Sequence, residues 1–319
     1  MITDIPTKTD FYMMADHMVN EAWEKIADLA YDYSGNDIWN GSYRESKYFS
    51  ESDTNNHEHY WKFARPKLIT AFNLILQSIE FRLKGLIVEI SPYLLITNAT
   101  RNPPKPDNEG NISFSEFHTL DAQDLVKVYN TFTSKVLPDD FTAWFNKLRT
   151  LRNRFMHTVD KKTDIMPELI FTSVIRAHNY LNTGAAHWMW YRYEYRAAHS
   201  SGGVDSELEE SEEFSGVVWA MLPTHYEFTV AISACSKESV SSLFGYTKNN
   251  TRDDNPKESF YCKKCVSVME KGWNFDSKDL DFALETVQYN RSKGVYICAF
   301  CLNEQKDKPL GIWEEIDED

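Results

Sequence analysis

The sequence predicts a mainly α protein: an N-terminal helical bundle followed by a small mixed α/β domain built around four cysteines. Three observations carry that expectation. Apolar residues recur at steps of three and four through most of the first two hundred positions, and two Cys-x-x-Cys pairs lie near the end of the chain. Between these regions runs a stretch of glycine, serine and acid with no apolar period. The expected boundaries are residues 1–199 for the helical domain, 200–214 for an acidic linker and 215–319 for the cysteine-bearing domain.

The elements follow in order. Phe11, Met14, Met18, Ala22, Ile26 and Leu29 share one helical face. Leu68, Phe72, Ile75, Ile79, Leu83, Leu86 and Ile90 do the same over a longer helix, which Ser91-Pro92 should stop, because proline disfavours helical geometry in the residue before it. Thr97 to Asn111, rich in proline, asparagine and glycine, reads as an exposed loop. A third helix begins near Thr119 or Asp121, with Asp124 well placed against the positive end of the helix, and runs through Leu125, Val128, Tyr129, Phe132 and Val136 to Pro138.

A fourth helix opens after Asp139-Asp140, buries Phe141, Trp144, Phe145, Leu148, Leu151 and Phe155, and carries the segment Arg149 to His157, RTLRNRFMH. A fifth covers Asp164 to His199 with a break near Asn182-Thr183-Gly184. Beyond the linker, the alternation of Tyr226, Phe228, Val230 and Ile232 predicts a strand, and Ser277 to Tyr289 a short inserted helix.

Each cysteine pair follows a short aromatic or β-branched run, Ser259-Phe260-Tyr261 before Cys262 and Cys265, Val295-Tyr296-Ile297 before Cys298 and Cys301. Strands that turn sharply in this way aim two thiolates at one point, and four thiolates close a tetrahedron around zinc. A closed shell leaves no position for substrate, so the expected role is structural, with a binding free energy of about 10–16 kcal/mol in comparable peptides. Two disulfides or a rubredoxin-like iron centre are the competing readings. Cys235 is left over as a small apolar residue.

The net charge is −14, but eleven acids lie in two short runs, Asp205 to Glu213 and Glu314 to Asp319, and the rest of the chain is near −3. Broad phosphate binding is therefore not expected; any nucleic-acid contact should be a local basic pocket. The opening residues lack the basic, apolar, small-residue order of a signal peptide, and no apolar run approaches the roughly 20 residues of a membrane span. A reducing cytoplasm is the expected location.

On a helix, Arg149, Asn153 and His157 stand at steps of four and form one polar stripe able to converge on a shared ligand. Arg152 points instead toward the apolar face, between Phe145 and Leu148, where its charge needs an acid, a phosphate or a second subunit. The aromatic cluster His187, Trp188, Trp190, Tyr191, Tyr193 and Tyr195 reads as core or subunit interface rather than a base-stacking surface.

Through Ile79 to Lys84 (IEFRLK), His118-Thr119-Leu120 before a helix, and the segment LRTLRNRFMH, residues 1 to about 200 resemble the HEPN domains, helical ribonuclease modules of toxin–antitoxin, abortive-infection and CRISPR systems. The resemblance implies a metal-independent site commonly shared between two HEPN units, with Arg152 and His157 carrying the chemistry and Asn153 supporting it. It also implies an RNA substrate, a homodimer or higher homo-oligomer, and a phage trigger or antitoxin partner. Arg149 and Arg154 become candidates for substrate phosphate contacts. The alternative from another class is a non-catalytic adaptor, in which the bundle is a dimerisation scaffold and the zinc ribbon binds nucleic acid or protein.

Overall fold

The computed structural model describes residues 1–34, 51–97, 103–157, 165–182, 186–200, 216–248, 259–270 and 286–307, with the single residues 99, 184 and 309. It is mainly helical: α1 (Lys8–Ser34), α2 (Glu51–Ile90), α3 (Ala122–Phe132), α4 (Asp139–His157), α5 (Pro167–Leu181), α6 (Trp188–Ser200), α7 (Gly216–Ala234), α8 (Lys237–Ser239) and α9 (Lys263–Glu270). Two-residue strands β1 (Ile2–Thr3) and β2 (Ile112–Ser113) pair in parallel. A second sheet, antiparallel in the order β3-β4-β5-β6, joins Ser259–Phe260, Val287–Asn290, Val295–Cys298 and Glu304–Gln305. None of the helices within the described residues is long and apolar enough to cross a membrane.

The chain forms two compact units that do not follow chain order: Met1–Trp23, Lys67–Ile165 and Tyr180–Thr183 make the first, Glu24–Pro66, Met166–Asn179 and Gly184–Asp319 the second. The acidic run expected as a linker falls outside the described residues, apart from Ser200 at the end of α6.

In the first unit α1 and α2 run antiparallel at close range. Lys8 pairs with Glu89, the Gly85 backbone lies against the Tyr12 ring, and Ser78 Oγ donates to the Ala15 carbonyl at 2.8 Å. Arg82, 8% exposed, forms an ion pair with Asp16 and lies 4.2 Å from the Tyr12 ring centroid. α2 stops at Ile90, as Ser91-Pro92 requires, and passes into a 3-10 turn over Pro92–Leu95. α4 packs on α2 through Phe72 and Phe155, edge to face at 5.8 Å, and Phe141 meets Phe145 and Tyr180.

The second unit centres on α7. The strand expected from Tyr226, Phe228, Val230 and Ile232 is corrected here: this stretch is helical, and its intervening residues Glu227, Thr229 and Ala231 are as buried as Phe228, Val230 and Ile232. A helix buried on every side shows no 3.6-residue contrast, so a chance alternation of large side chains mimicked a strand. The break between α5 and α6 falls where expected, with Gly184 at φ +90°, a conformation side chains resist. Val287 to Tyr289 are not helical, as the inserted helix required, but sit in β4; residues 277–285 of that expectation lie outside the described residues.

Candidate functional site

The four cysteines of the two pairs converge. β3 leads into Cys262, and α9 begins directly after it, placing Cys265 in its first turn; the Val266 N–H donates to the Cys262 carbonyl at 3.0 Å. β5 ends on Cys298 and the chain turns through Ala299-Phe300, with Leu302 in the left-handed region at φ +56° and its N–H on the Cys298 carbonyl at 2.8 Å. All four Sγ atoms lie within 4.8 Å of one another. Tetrahedral Zn–S bonds near 2.3 Å set ligand sulfurs about 3.8 Å apart, and the Cys262–Cys301 separation of 3.5 Å is close to that. It is far beyond a disulfide bond of about 2.05 Å, which disposes of the two-disulfide reading, and all four thiols are free.

The electrostatics suit a cation. Hydrogen bonds from Cys265, Cys298 and Cys301 hold the Cys262 thiol far below its ordinary range. Its bond to Cys262 pushes Cys265 up, and burial pushes Cys298 up. Cys262 pushes Cys301 up, but hydrogen bonds to Cys265 and Cys298 outweigh that and lower it, so the quartet favours negative charge that a dication would neutralise. The outer contacts are also present: Thr286 Oγ1 lies 3.1 Å from Cys298 Sγ, and the Cys301 N–H donates to the same sulfur at 3.4 Å.

The second knuckle is anchored in the helices of its own unit. Phe300, fully buried, stacks on His225 of α7 with ring centroids 3.8 Å apart and planes 14° apart, and meets Phe228 edge-on. Burial, with His178 nearby, pushes the His187 imidazole down to about 4, while a hydrogen bond with the Phe300 backbone opposes that shift. Lys264 of α9 stands over the Trp190 ring, 4.6 Å from its centroid. Burial raises Tyr193 to about 12, with Cys265 close enough to add to the effect. Of the aromatic cluster, Trp188 (0% exposed) and Tyr193 (5%) are core, whereas His187, Trp190, Tyr191 and Tyr195 are half-buried.

The arginine stripe lies on α4, which runs antiparallel to α2. Phe72 meets Phe155, Asn73 Nδ2 contacts Met156 Sδ at 3.4 Å, and Glu80 lies within the fields of Arg152 and Arg149. Arg152 is half-buried, and Glu80 of α2 is an acid close enough to feel its charge. Burial raises Glu80 above the ordinary carboxylate range, and Arg152, Lys84 and Arg149, in that order, pull it back. Lys84 also donates to Thr119 Oγ1 at 3.1 Å. Arg149 donates to Asn146 Oδ1 at 3.2 Å, its guanidinium 5.9 Å from the Phe145 ring centroid. Asn153 and Arg154 are exposed, and His157 ends the helix, its side chain outside the described residues.

Spacing along α4 could not reveal Glu80 and Lys84 as members of this seam. Their own signal is the step of four that puts both on one face of α2. Family models, curated proteins and solved structures return no match to this chain.

Proposed function

We propose that this protein is a metal-independent endoribonuclease whose fold is completed by structural zinc. The observation that supports this reading is the seam of Glu80, Lys84, Arg149 and Arg152 on facing turns of α2 and α4. It holds two arginines on the helix that ends at His157. In the proposed reaction the 2′-hydroxyl of RNA attacks the adjacent phosphorus and the bond to the 5′-oxygen breaks. The products carry 2′,3′-cyclic phosphate and 5′-hydroxyl ends.

His157 moves the proton, for which an imidazole with an ordinary value near 6.5 is suited at neutral pH. Arg152 neutralises the phosphate oxygens as charge builds, and Asn153 supports it. Arg149 and Arg154 hold flanking phosphates. A second copy completes the site, and the setting is host defence or a toxin system with a phage trigger or antitoxin as partner. Zinc at Cys262, Cys265, Cys298 and Cys301 takes no part in the chemistry, because four thiolates close its shell.

The second reading, a non-catalytic adaptor, is favoured by the same Glu80 and Arg152 proximity, since an arginine matched by an internal acid can serve the fold alone. One experiment separates them: wild type, Arg152→Ala and His157→Ala, each purified with its zinc, are incubated with total and transfer RNA in buffer without added divalent cation or chelator, and the cut ends are analysed. Cleavage by wild type alone, falling at least a hundredfold in either variant and leaving cyclic phosphate, is expected. Equal cleavage by all three overturns the site, and no cleavage by wild type favours the adaptor.

A further inference from the structure

The four sulfur-bearing residues of the quartet are not equally shielded. Cys298 is 0% exposed and Cys262 and Cys265 are each 1% exposed, whereas Cys301 is half-buried, next to Leu302, which is 49% exposed. Cys298 Sγ is also engaged from both sides, by Thr286 Oγ1 at 3.1 Å and by the Cys301 N–H at 3.4 Å. The Cys301 sulfur instead lies 3.5 Å from that of Cys262, 39 residues away in the chain and on the other knuckle. Closing that gap to a disulfide bond of about 2.05 Å takes about 1.5 Å of movement. A solvent-borne oxidant therefore meets Cys301 first, and the thiol beside it is buried and in place to react next.

We infer that Cys301 is an oxidation site with Cys262 as its resolving partner, so that a peroxide joins the two knuckles by a disulfide and expels the zinc. The inference rests on zinc filling the quartet and is independent of the ribonuclease reading. A zinc-bound thiol is deprotonated, and the thiolate is the form that reacts with peroxide. In the first step the Cys301 sulfur displaces hydroxide from hydrogen peroxide: an S–O bond forms, the O–O bond breaks, and a sulfenic acid results. In the second the Cys262 thiolate attacks that sulfur: the S–S bond forms, the S–O bond breaks, and a second hydroxide leaves. Each sulfur has given up one electron, the peroxide has taken up both, and solvent protons turn the hydroxides into water. Zinc is left with Cys265 and Cys298, half of a closed shell, and is released. A thiol reductant followed by zinc restores the site.

The test uses the full chain, purified without chelator, with its zinc content measured first; a chain that holds no zinc overturns the metal reading and this inference with it. Hydrogen peroxide is added, zinc release is followed with a colorimetric zinc indicator against untreated protein, and unreduced peptides are mapped by mass spectrometry. Zinc should leave in step with the appearance of a Cys262–Cys301 disulfide. Cys235, 3% exposed and pushed up to about 12 by burial, should stay a free thiol and serves as the internal reference. Cys301→His, which keeps a four-ligand shell of a kind that holds zinc, should release it about tenfold more slowly or less under the same peroxide. Release from Cys301→His as fast as from wild type, a bond inside either Cys-x-x-Cys pair in place of the Cys262–Cys301 bond, or zinc retained by wild type in excess peroxide overturns the inference. Should Cys301→His fail to bind zinc, the wild-type disulfide map alone decides.

Discussion

Gly85 shows how one missing side chain sets a helix contact. A Cβ there would lie 2.6 Å and 2.7 Å from two Tyr12 ring carbons and 3.2 Å from the Phe11 Cβ. The ring cannot move freely, because it carries the Arg82 guanidinium at 4.2 Å and the Lys8 ammonium at 5.1 Å. Gly85→Ala should therefore destabilise by roughly 1–3 kcal/mol despite alanine's better helix propensity, read as a lower urea midpoint. Glu168 illustrates the opposite sign of burial and hydrogen bonding. Burial raises its carboxyl, but the Ser236 and Ser239 hydroxyls and the Ser236 N–H outweigh that and hold it below its ordinary 4.5.

A depressed carboxylate stabilises the fold above its unfolded value and loses that contribution as pH falls through the lower folded one. Glu168→Gln should then cost roughly 1 kcal/mol at pH 7, allowing for its partial exposure, and the gap from wild type should close below pH 4 in urea titrations.

At the scale of elements, α6 and α7 are joined by charge inside the second unit. Arg192, 1% exposed, donates to both Glu227 oxygens at 2.9 Å and to Glu24 Oε2 at 2.9 Å, and Arg196 also reaches Glu227. A buried pair contributes little over an apolar replacement, yet removing one partner strands the other charge. Arg192→Met should cost about 3–5 kcal/mol, and adding Glu227→Leu should restore a large part of it; a double variant no more stable than the single in thermal melts would contradict this.

Sequence periodicity found α2, α4 and the α5–α6 break, and α3 as far as Phe132, short of the expected end at Pro138, because the helices each have one wet face. It missed α7, none of whose described side chains is exposed. The same limit applied to the seam: the step of four displayed the α4 stripe, whereas the approach of Glu80 to Arg149 and Arg152 emerged only when α2 was laid beside it.

Across the whole molecule, the metal site is part of the second unit's core rather than an appended module, because Phe300 of its second knuckle is stacked on α7. Chelation, or Cys262→Ser, should remove one zinc per chain by metal analysis and lower the thermal midpoint by at least 10 °C, with loss of helical signal as well as of the small sheet. Loss of metal with unchanged circular dichroism and melting would show that the knuckles are not needed for the helices they touch.

The sequence by itself determined the mainly helical class, the cysteine quartet and the helix that carries Arg149 to His157, because each is written in local spacing that backbone geometry converts directly into a shared face or a shared point. Tertiary structure alone decided which acid faces Arg152, that α7 is a helix, and that Phe300 anchors its knuckle beneath His225. Those outcomes depend on residues distant in the chain competing for the same buried space, and no local period records that competition.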